Sequence, residues 1–461
     1  MLLPVPFSIY YQSTDINGLL LSSGICLVLG IAGIFLLPKN PQEIRAKEGF
    51  AVVSLGWLTF ALFGSLPYLL GGATSSITDA FFETMSGVTT TGATIFSNVE
   101  VLPHGVLFWR SLTHWFGGMG IIVLTVAVLP FLGIGGMQLF KAEVPGPVVD
   151  KLSPRIAETA KILWGVYLFF TVLQTILLML GGMNLFDALC HSFGTMATGG
   201  FSTKNASVGA YSSAYIDYVI TAFMIIAGTN FALLYWLLRG KVNTLFNNGE
   251  FRFYIIIIAV ATIIIGIHLF FNHTGNVFDS LRYAVFQVVA IITTTGFGTA
   301  DYEEWSASSQ LILFGLMFVG GCAGSTGGGF KVIRVIILIK FISNELVRLI
   351  HPQAIVFVKF GNLSLDRKVL INVAGFFMIY VMIAVFGTIL ISFFGIDILT
   401  SMGAVAATLN NIGPGLGAVG PTENYAHLPD VVKWILSFLM MLGRLEIYTV
   451  IILLIPAYWR R

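Results

Sequence analysis

Charged residues are scarce in this chain: Asp, Glu, Lys and Arg make up 10% of its 461 residues, against 56% hydrophobic. An average soluble domain carries about 25% charged residues, so a water-soluble globule is excluded. Cysteine is scarcer still. Cys26, Cys190 and Cys322 lie far apart, in or beside apolar runs. That excludes a disulfide framework and a thiolate metal site, and leaves them as buried packing residues. A net charge of +2 is too small to point to nucleic acid. Histidines are few, and His114, His191 and His268 form no pair with ligand spacing. No nucleophile and base come together, so no catalytic residue is assigned and an enzyme is not expected. The N-terminus has no basic region ahead of an apolar one, and no cleavable signal peptide is expected.

Long apolar runs are what the chain has in excess. Runs of ~20 residues, the length that crosses a bilayer as a helix, recur throughout. They fall at about 19–37, 50–71, 104–132, 162–181, 214–238, 253–271, 308–340, 369–394 and 431–456. Outer-membrane barrel strands are only ~10 residues long and alternate, so that class is excluded. The expected fold is an all-α polytopic membrane protein. On this map 19 of the 24 Lys and Arg face one side, in the clusters Lys39–Lys47, Lys141–Lys161, Arg239–Arg252 and Lys331–Lys368 and at Arg460 and Arg461. The positive-inside rule makes that side cytoplasmic. The other side carries Glu100, Asp217, Asp301, Glu303, Glu304, Glu423 and Asp430. Such a face either gathers cations or is simply solvated.

Between basic loops one pattern recurs: span, short apolar segment, glycine-centred break, span. The breaks "GVTTTGATIF", "TMATGGFSTK", "AIITTTGFGTAD" and "LNNIGPGLG" align on Gly92, Gly199, Gly296 and Gly413, a repeat of roughly 100 residues. An Asp stands near the start of each short segment (Asp79, Asp187, Asp279, Asp397), where it suits an N-cap and the positive end of a helix dipole. The expected geometry is a short helix that enters from outside, stops partway and returns as irregular strand. Four such units around one axis would aim helix C-termini at a central cation and line its path with backbone carbonyls. Glycine is expected at the break because a carbonyl-lining strand uses φ > 0. The filter residues expected are Thr90, Thr91 and Gly92; Ala197, Thr198 and Gly199; Thr294, Thr295 and Gly296; and Asn411, Ile412 and Gly413. One such motif alone signals only close helix packing; four aligned breaks carry the reading.

Two polar features lie toward the inner side. The seventh run contains "GGCAGSTGGG", residues 320–329, with six glycines in ten. Each costs a helix about 1 kcal/mol relative to Ala. An unwound loop below the filter is therefore expected at Gly320, Gly321, Gly324, Ser325, Thr326, Gly327, Gly328 and Gly329, with close helix packing as the alternative. Arg444 lies deep in the last run, with Glu446 two residues on. A charge there is costly unless it faces a polar interior, and residues two apart on a helix do not face each other. Arg444 either binds carbonyls of the 320–329 loop as the anchor of a gate or ties helices together.

These motifs, with "FGGMGIIVLTVAVLP" and "MLGRLEIYTV", resemble the TrkH family, membrane subunits of bacterial Trk potassium uptake related to the Ktr and HKT transporters. The resemblance runs from about Lys47 to Arg461. It implies a potassium-selective path with potassium bound at the filter residues and no covalent cofactor, one pore per subunit of a homodimer. It also implies a gating role for 320–329, a cytosolic ring of TrkA-like nucleotide-binding regulatory subunits, contact with membrane lipid, and location in the bacterial inner membrane. The domains expected are an N-terminal extra helix and stump (1–47) and four pore repeats (48–150, 151–250, 251–350 with the gating loop, and 351–461). The family carries two helices ahead of the first repeat. Here 19–37 is one and residues 3–11 a stump, an arrangement that puts Met1 outside. Residues 341–368, with Ile355, Val356, Phe357 and Val358 among basic neighbours, are expected either to meet the partner or to fold back on the helices. The function expected is a gated, channel-like importer. The alternative is a symporter coupled to sodium or protons, and the filter strands contain no Asp, Glu or His, which argues against proton coupling only.

Overall fold

The computed structural model describes residues 1–36, 46–127, 156–353, 359–360 and 363–460. Lys39, Arg45, Lys141, Lys151, Arg155, Ile355 to Val358, Arg461 and the 150/151 boundary lie outside the described residues. In chain order the helices are α1 (Val5–Tyr10), α2 (Ile16–Leu36), α3 (Ala46–Gly64), α4 (Leu66–Leu70), α5 (Ile77–Val88) and α6 (His104–Ala127). Next come α7 (Ile156–Leu180), α8 (Leu185–Met196), α9 (Ala214–Ala227), α10 (Phe231–Leu238) and a linking α11 (Val242–Phe246). A third set is α12 (Gly249–Leu269), α13 (Val277–Ile292), α14 (Ala307–Met317) and α15 (Val332–Ile350). The last is α16 (Arg367–Ser392), α17 (Ile398–Leu409), α18 (Asp430–Arg444), α19 (Tyr448–Leu454) and α20 (Pro456–Trp459). Among the described residues five helices are long and apolar enough to cross a membrane, or seven if two bent pairs each count as one span. Apart from a two-residue antiparallel pair, Lys359–Phe360 with Leu363–Ser364, the regular structure of the described residues is helical, and the chain is a multi-pass membrane protein.

Three of the nine expected spans are not continuous. Residues 214–238 bend by 108° between α9 and α10, and 431–456 bend by 119° between α18 and α19. Residues 308–340 form two helices separated by irregular chain at 318–331. The breaks have local causes. Asn230 starts a new helix by accepting a hydrogen bond from the Ala232 amide at 2.8 Å. Glu446 and Ile447 take φ of 58° and 42°, values no right-handed helix contains. An apolar run reports burial in lipid or protein, and both breaks keep their flanks apolar, so hydropathy alone passes over them.

The four helices that precede the glycine-centred breaks are too short to cross. α5, α8 and α17 have 12 residues and α13 has 16, or ~18–24 Å at ~1.5 Å per residue, against a hydrocarbon core of ~30 Å. Their N-caps are Ser76, Asn184, Asn276 and Asp397, each accepting a backbone hydrogen bond in the first turn. Asp79, Asp187 and Asp279 therefore sit in the first turn rather than at the cap, and only Asp397 caps as expected. Each short helix packs between the two helices that flank it in sequence, and also against a helix of another set. Those extra partners are α18 for α5, α6 for α8, α9 for α13 and α14 for α17. The four contacts close into a circle.

At the N-terminus, α1 docks on the N-terminal end of α6. Phe7 stacks on Phe108 at 4.4 Å and Tyr11 on His104 at 3.9 Å between ring centroids, and Asp15 accepts the Val106 amide at 2.7 Å. Cys190 and Cys322 are buried as expected, whereas Cys26 on α2 is only half-buried. Lys331 and Arg334, expected in a cytoplasmic loop, are both buried. Lys331 donates to the Gly327 carbonyl and Arg334 pairs with Glu446.

Candidate functional site

All four short helices end in the same backbone motif. Their C-caps are Thr89, Ala197, Thr293 and Asn410. The next residues, Thr90, Thr198, Thr294 and Asn411, have φ of 52°, 56°, 59° and 56°. The residues after those return an amide hydrogen bond five residues back: Thr91 to Ser86 at 2.8 Å, Gly199 to Gly194 at 2.7 Å, Thr295 to Ala290 at 2.8 Å and Ile412 to Ala407 at 2.8 Å. This is the Schellman closure of a helix, in which the left-handed residue is usually glycine. A β-branched threonine in that conformation costs of order 1–3 kcal/mol, and the chain accepts it three times.

A glycine with positive φ follows in every unit: Gly92 (84°), Gly200 (79°), Gly296 (76°) and Gly413 (99°). The second is Gly200, so the expected alignment on Gly199 is one residue out of register. Ala197, expected in the strand, is the helix cap. Tertiary contact shows why these positions are glycine. A Cβ on Gly92 would collide with the Gly199 carbonyl oxygen, one on Gly200 with that of Thr295, one on Gly296 with that of Ile412, and one on Gly413 with that of Thr91. The four strands thus form a closed ring, each glycine pressed on the carbonyl that precedes the next unit's glycine. Thr90, Thr91, Ala197, Thr198, Thr294, Thr295, Asn411 and Ile412 are all 0% exposed. The Thr91 and Thr295 hydroxyls turn back to Thr89 and Thr293, at 2.8 and 2.7 Å. The helix C-termini bring partial negative charge to the ring without a formal charge.

The 320–329 segment lies against this ring. Backbone bonds from Lys331 to Val319 (2.9 Å) and Val332 to Gly321 (3.1 Å) pinch it into a loop. Thr326 Oγ1 donates to the Met196 and Ala227 carbonyls at 3.0 and 3.1 Å, and the Gly328 amide donates to Thr294 Oγ1 at 2.6 Å. A Cβ on Gly328 would strike the Asn410 carbonyl. The loop is so placed beside the C-terminal ends of three of the four short helices. Arg444, 2% exposed, donates from Nη1 to the Thr326 carbonyl at 2.6 Å and from Nη2 to the Gly117 carbonyl at 3.4 Å. Glu446 pairs instead with Arg334. Glu250, at the start of α12, accepts the Ala323 and Ile333 amides at 2.8 and 3.1 Å and steadies both flanks of the loop.

A family model for TrkH cation transport proteins matches residues 20–461. The chain belongs to the TrkH family. The Trk system potassium uptake protein TrkH of Halomonas elongata is 43% identical, over 100% of this chain and 96% of its own length. That of Escherichia coli K12 is 42% identical with the same coverage. The crystal structure of the potassium transporter TrkH from Vibrio parahaemolyticus superposes with a TM-score of 0.92 at 39% identity, over 100% of this chain and 96% of that one. TrkH members are transport proteins, so the expectation that the chain is not an enzyme holds. Among the described residues no three His, Cys, Asp or Glu side chains gather as a metal site.

Several residues of this TrkH-family site belong to no motif that the sequence marks. Glu83 and Arg110 form a buried pair beside the first strand. His114 Nδ1 donates to the Gly87 carbonyl at 2.8 Å and its Nε2 accepts the Phe201 amide at 3.2 Å, joining the first unit to the second. Tyr302 donates to the Gly415 carbonyl at 2.7 Å, and Tyr425 to that of Gly413 at 2.8 Å. A carboxylate inside a short apolar segment, Glu83, and a cation inside the 104–132 run, Arg110, are the signals in the sequence that point toward this layer.

Proposed function

We propose that the ring is a potassium-selective filter and that the chain is the ion-conducting subunit of a Trk-type uptake system, with four pore repeats around one path. The observation that carries this is the closed circuit of glycine-on-carbonyl contacts linking Gly92, Gly200, Gly296 and Gly413. Such a circuit needs four strands in one register, with carbonyls stacked at equivalent depth. Carbonyl rings of this kind replace an ion's hydration shell. The relatives' names, potassium uptake proteins of a Trk system, support potassium as the ion and further subunits as partners. The loop at 320–329, clasped by Arg444, obstructs the inner end of the path and serves as its gate. A homodimer, a cytosolic TrkA-like ring and residence in the inner membrane complete the reading, and these rest on the family likeness.

The test is potassium and sodium flux through purified protein in liposomes, with Gly296→Ser as the variant. The added side chain meets the Ile412 carbonyl, so the permeability ratio is expected to fall toward unity. A folded variant with the wild-type ratio would remove Gly296 from the filter. Uptake that demands a sodium or proton gradient would favour the coupled symporter instead.

A further inference from the structure

Behind the ring stands a buried polar layer that differs from unit to unit. Nine residues before each ring glycine lie Glu83, His191, Gln287 and Ala404, in helices α5, α8, α13 and α17. Glu83 is 0% exposed. Its Oε1 accepts Arg110 Nε at 2.5 Å and Thr94 Oγ1 at 3.1 Å, and its Oε2 accepts the Ile95 amide at 2.9 Å. Thr94 and Ile95 follow Gly92 by two and three residues, so the carboxylate holds the outer part of the first strand. In the second unit His191 bonds Ser202 at 2.9 Å, again the residue two past the glycine. Ala404 offers no such bond. The brace is therefore strongest in the first unit and lacks a polar member in the fourth.

Arg110 extends the brace. Its Nη1 donates to the Ser202 carbonyl at 3.0 Å, and its guanidinium carbon lies 3.5 Å from the centre of the Phe201 ring. Phe201 and Ser202 directly follow Gly200. One ion pair thus fixes the outer strands of two adjacent units, and the Thr94 carbonyl passes the constraint to the fourth by accepting the Tyr425 amide at 2.8 Å. A buried ion pair is poor evidence for net stability, because desolvation offsets the Coulomb gain. What it does supply is geometry: charge-assisted bonds in fixed directions.

We infer that Glu83 and Arg110 are positioning residues for the filter, setting the spacing of its first two strands and thereby its preference for potassium over sodium. The inference rests on the permeation reading above. In Glu83→Gln the guanidinium stays charged and loses its counter-charge beside the Phe201 ring and the Ser202 carbonyl. Arg110→Lys keeps the charge but forfeits the fork that reaches Ser202 and Phe201.

The experiment is the potassium-to-sodium permeability ratio of purified protein in liposomes under opposed gradients, with thermal melting in detergent measured alongside. Both variants are expected to lower the ratio about tenfold, the equivalent of about 1.4 kcal/mol. Variants that melt earlier yet keep the wild-type ratio would reduce the pair to a structural role and overturn the inference. If Glu83→Gln fails to fold, Arg110→Lys alone decides, by the same two outcomes. A wild-type protein with no potassium preference would refute the permeation reading itself, a result distinct from failure of the brace.

Discussion

Arg444→Ala is the sharpest test of the proposed gate. The side chain is buried and contributes two hydrogen bonds, to the Thr326 carbonyl in the loop at 2.6 Å and to the Gly117 carbonyl of α6 at 3.4 Å. Only the first is short and holds the loop. A hydrogen bond from a charged donor contributes about 1.5–3 kcal/mol. The loop keeps other clasps, from Thr326 Oγ1 to Met196 and Ala227 and from the Gly328 amide to Thr294. The low end of that range therefore applies, and about 1.4 kcal/mol is a tenfold change in an equilibrium. The open fraction should rise about tenfold, and removing a positive charge beside the path lowers the barrier to cations further. The assay is rubidium uptake by purified protein in liposomes without any regulatory partner. Arg444→Lys, which keeps the charge but not the forked donor, should fall between wild type and Ala. Equal or lower uptake by an Arg444→Ala protein that still runs as wild type on gel filtration would refute the gate and leave Arg444 as a tie between α18 and its neighbours.

Three further outcomes are expected. Gly200→Ala should lose potassium selectivity or assembly because its Cβ would meet the Thr295 carbonyl, as read by permeability ratio and yield; a tolerated Gly200→Ala would return the ring register to Gly199. Asp397 caps α17, and hydrogen bonds from the Thr400 hydroxyl and amide hold its carboxyl below the usual carboxylate range; its stabilising share is therefore present above the unfolded value and lost as pH falls through the depressed one. Asp397→Ala should cost about 0.5–2 kcal/mol in detergent melts at neutral pH and flatten their acid limb, whereas an unchanged melting curve would reject the cap. Charge reversal at Lys359 and Arg367 should weaken co-purification with the proposed TrkA-like ring, and full retention would move the docking surface elsewhere.

How much of the fold is legible in the sequence depends on whether the signal is local. The long apolar runs, the helix-breaking glycines and the short segments before them act within one or two turns, and they became helices and breaks close to where the pattern put them, whereas three of the four caps fell to Ser76, Asn184 and Asn276 rather than to the aspartates. Arg444 near the glycine-rich loop was also legible, since a lone buried cation needs carbonyls and an unwound loop presents them. The bends at Gly228–Asn230 and Leu445–Ile447 were not, because those short polar interruptions are flanked on both sides by apolar runs that a hydropathy window joins. Nor were Lys331 and Arg334, whose partners Gly327 and Glu446 are not both close in sequence.

The sequence by itself determined a multi-pass helical protein with four interrupted short helices and a glycine-rich break in its seventh run, since those follow from hydropathy and backbone propensity over a few residues. Tertiary structure alone decided the rest. Between two consecutive glycines, Gly199 and Gly200, local pattern has no preference. The choice falls to Gly200 because its Cα abuts the Thr295 carbonyl while the Gly199 carbonyl abuts Gly92. Those contacts join residues roughly a hundred positions apart, and no window of sequence contains both sides of them.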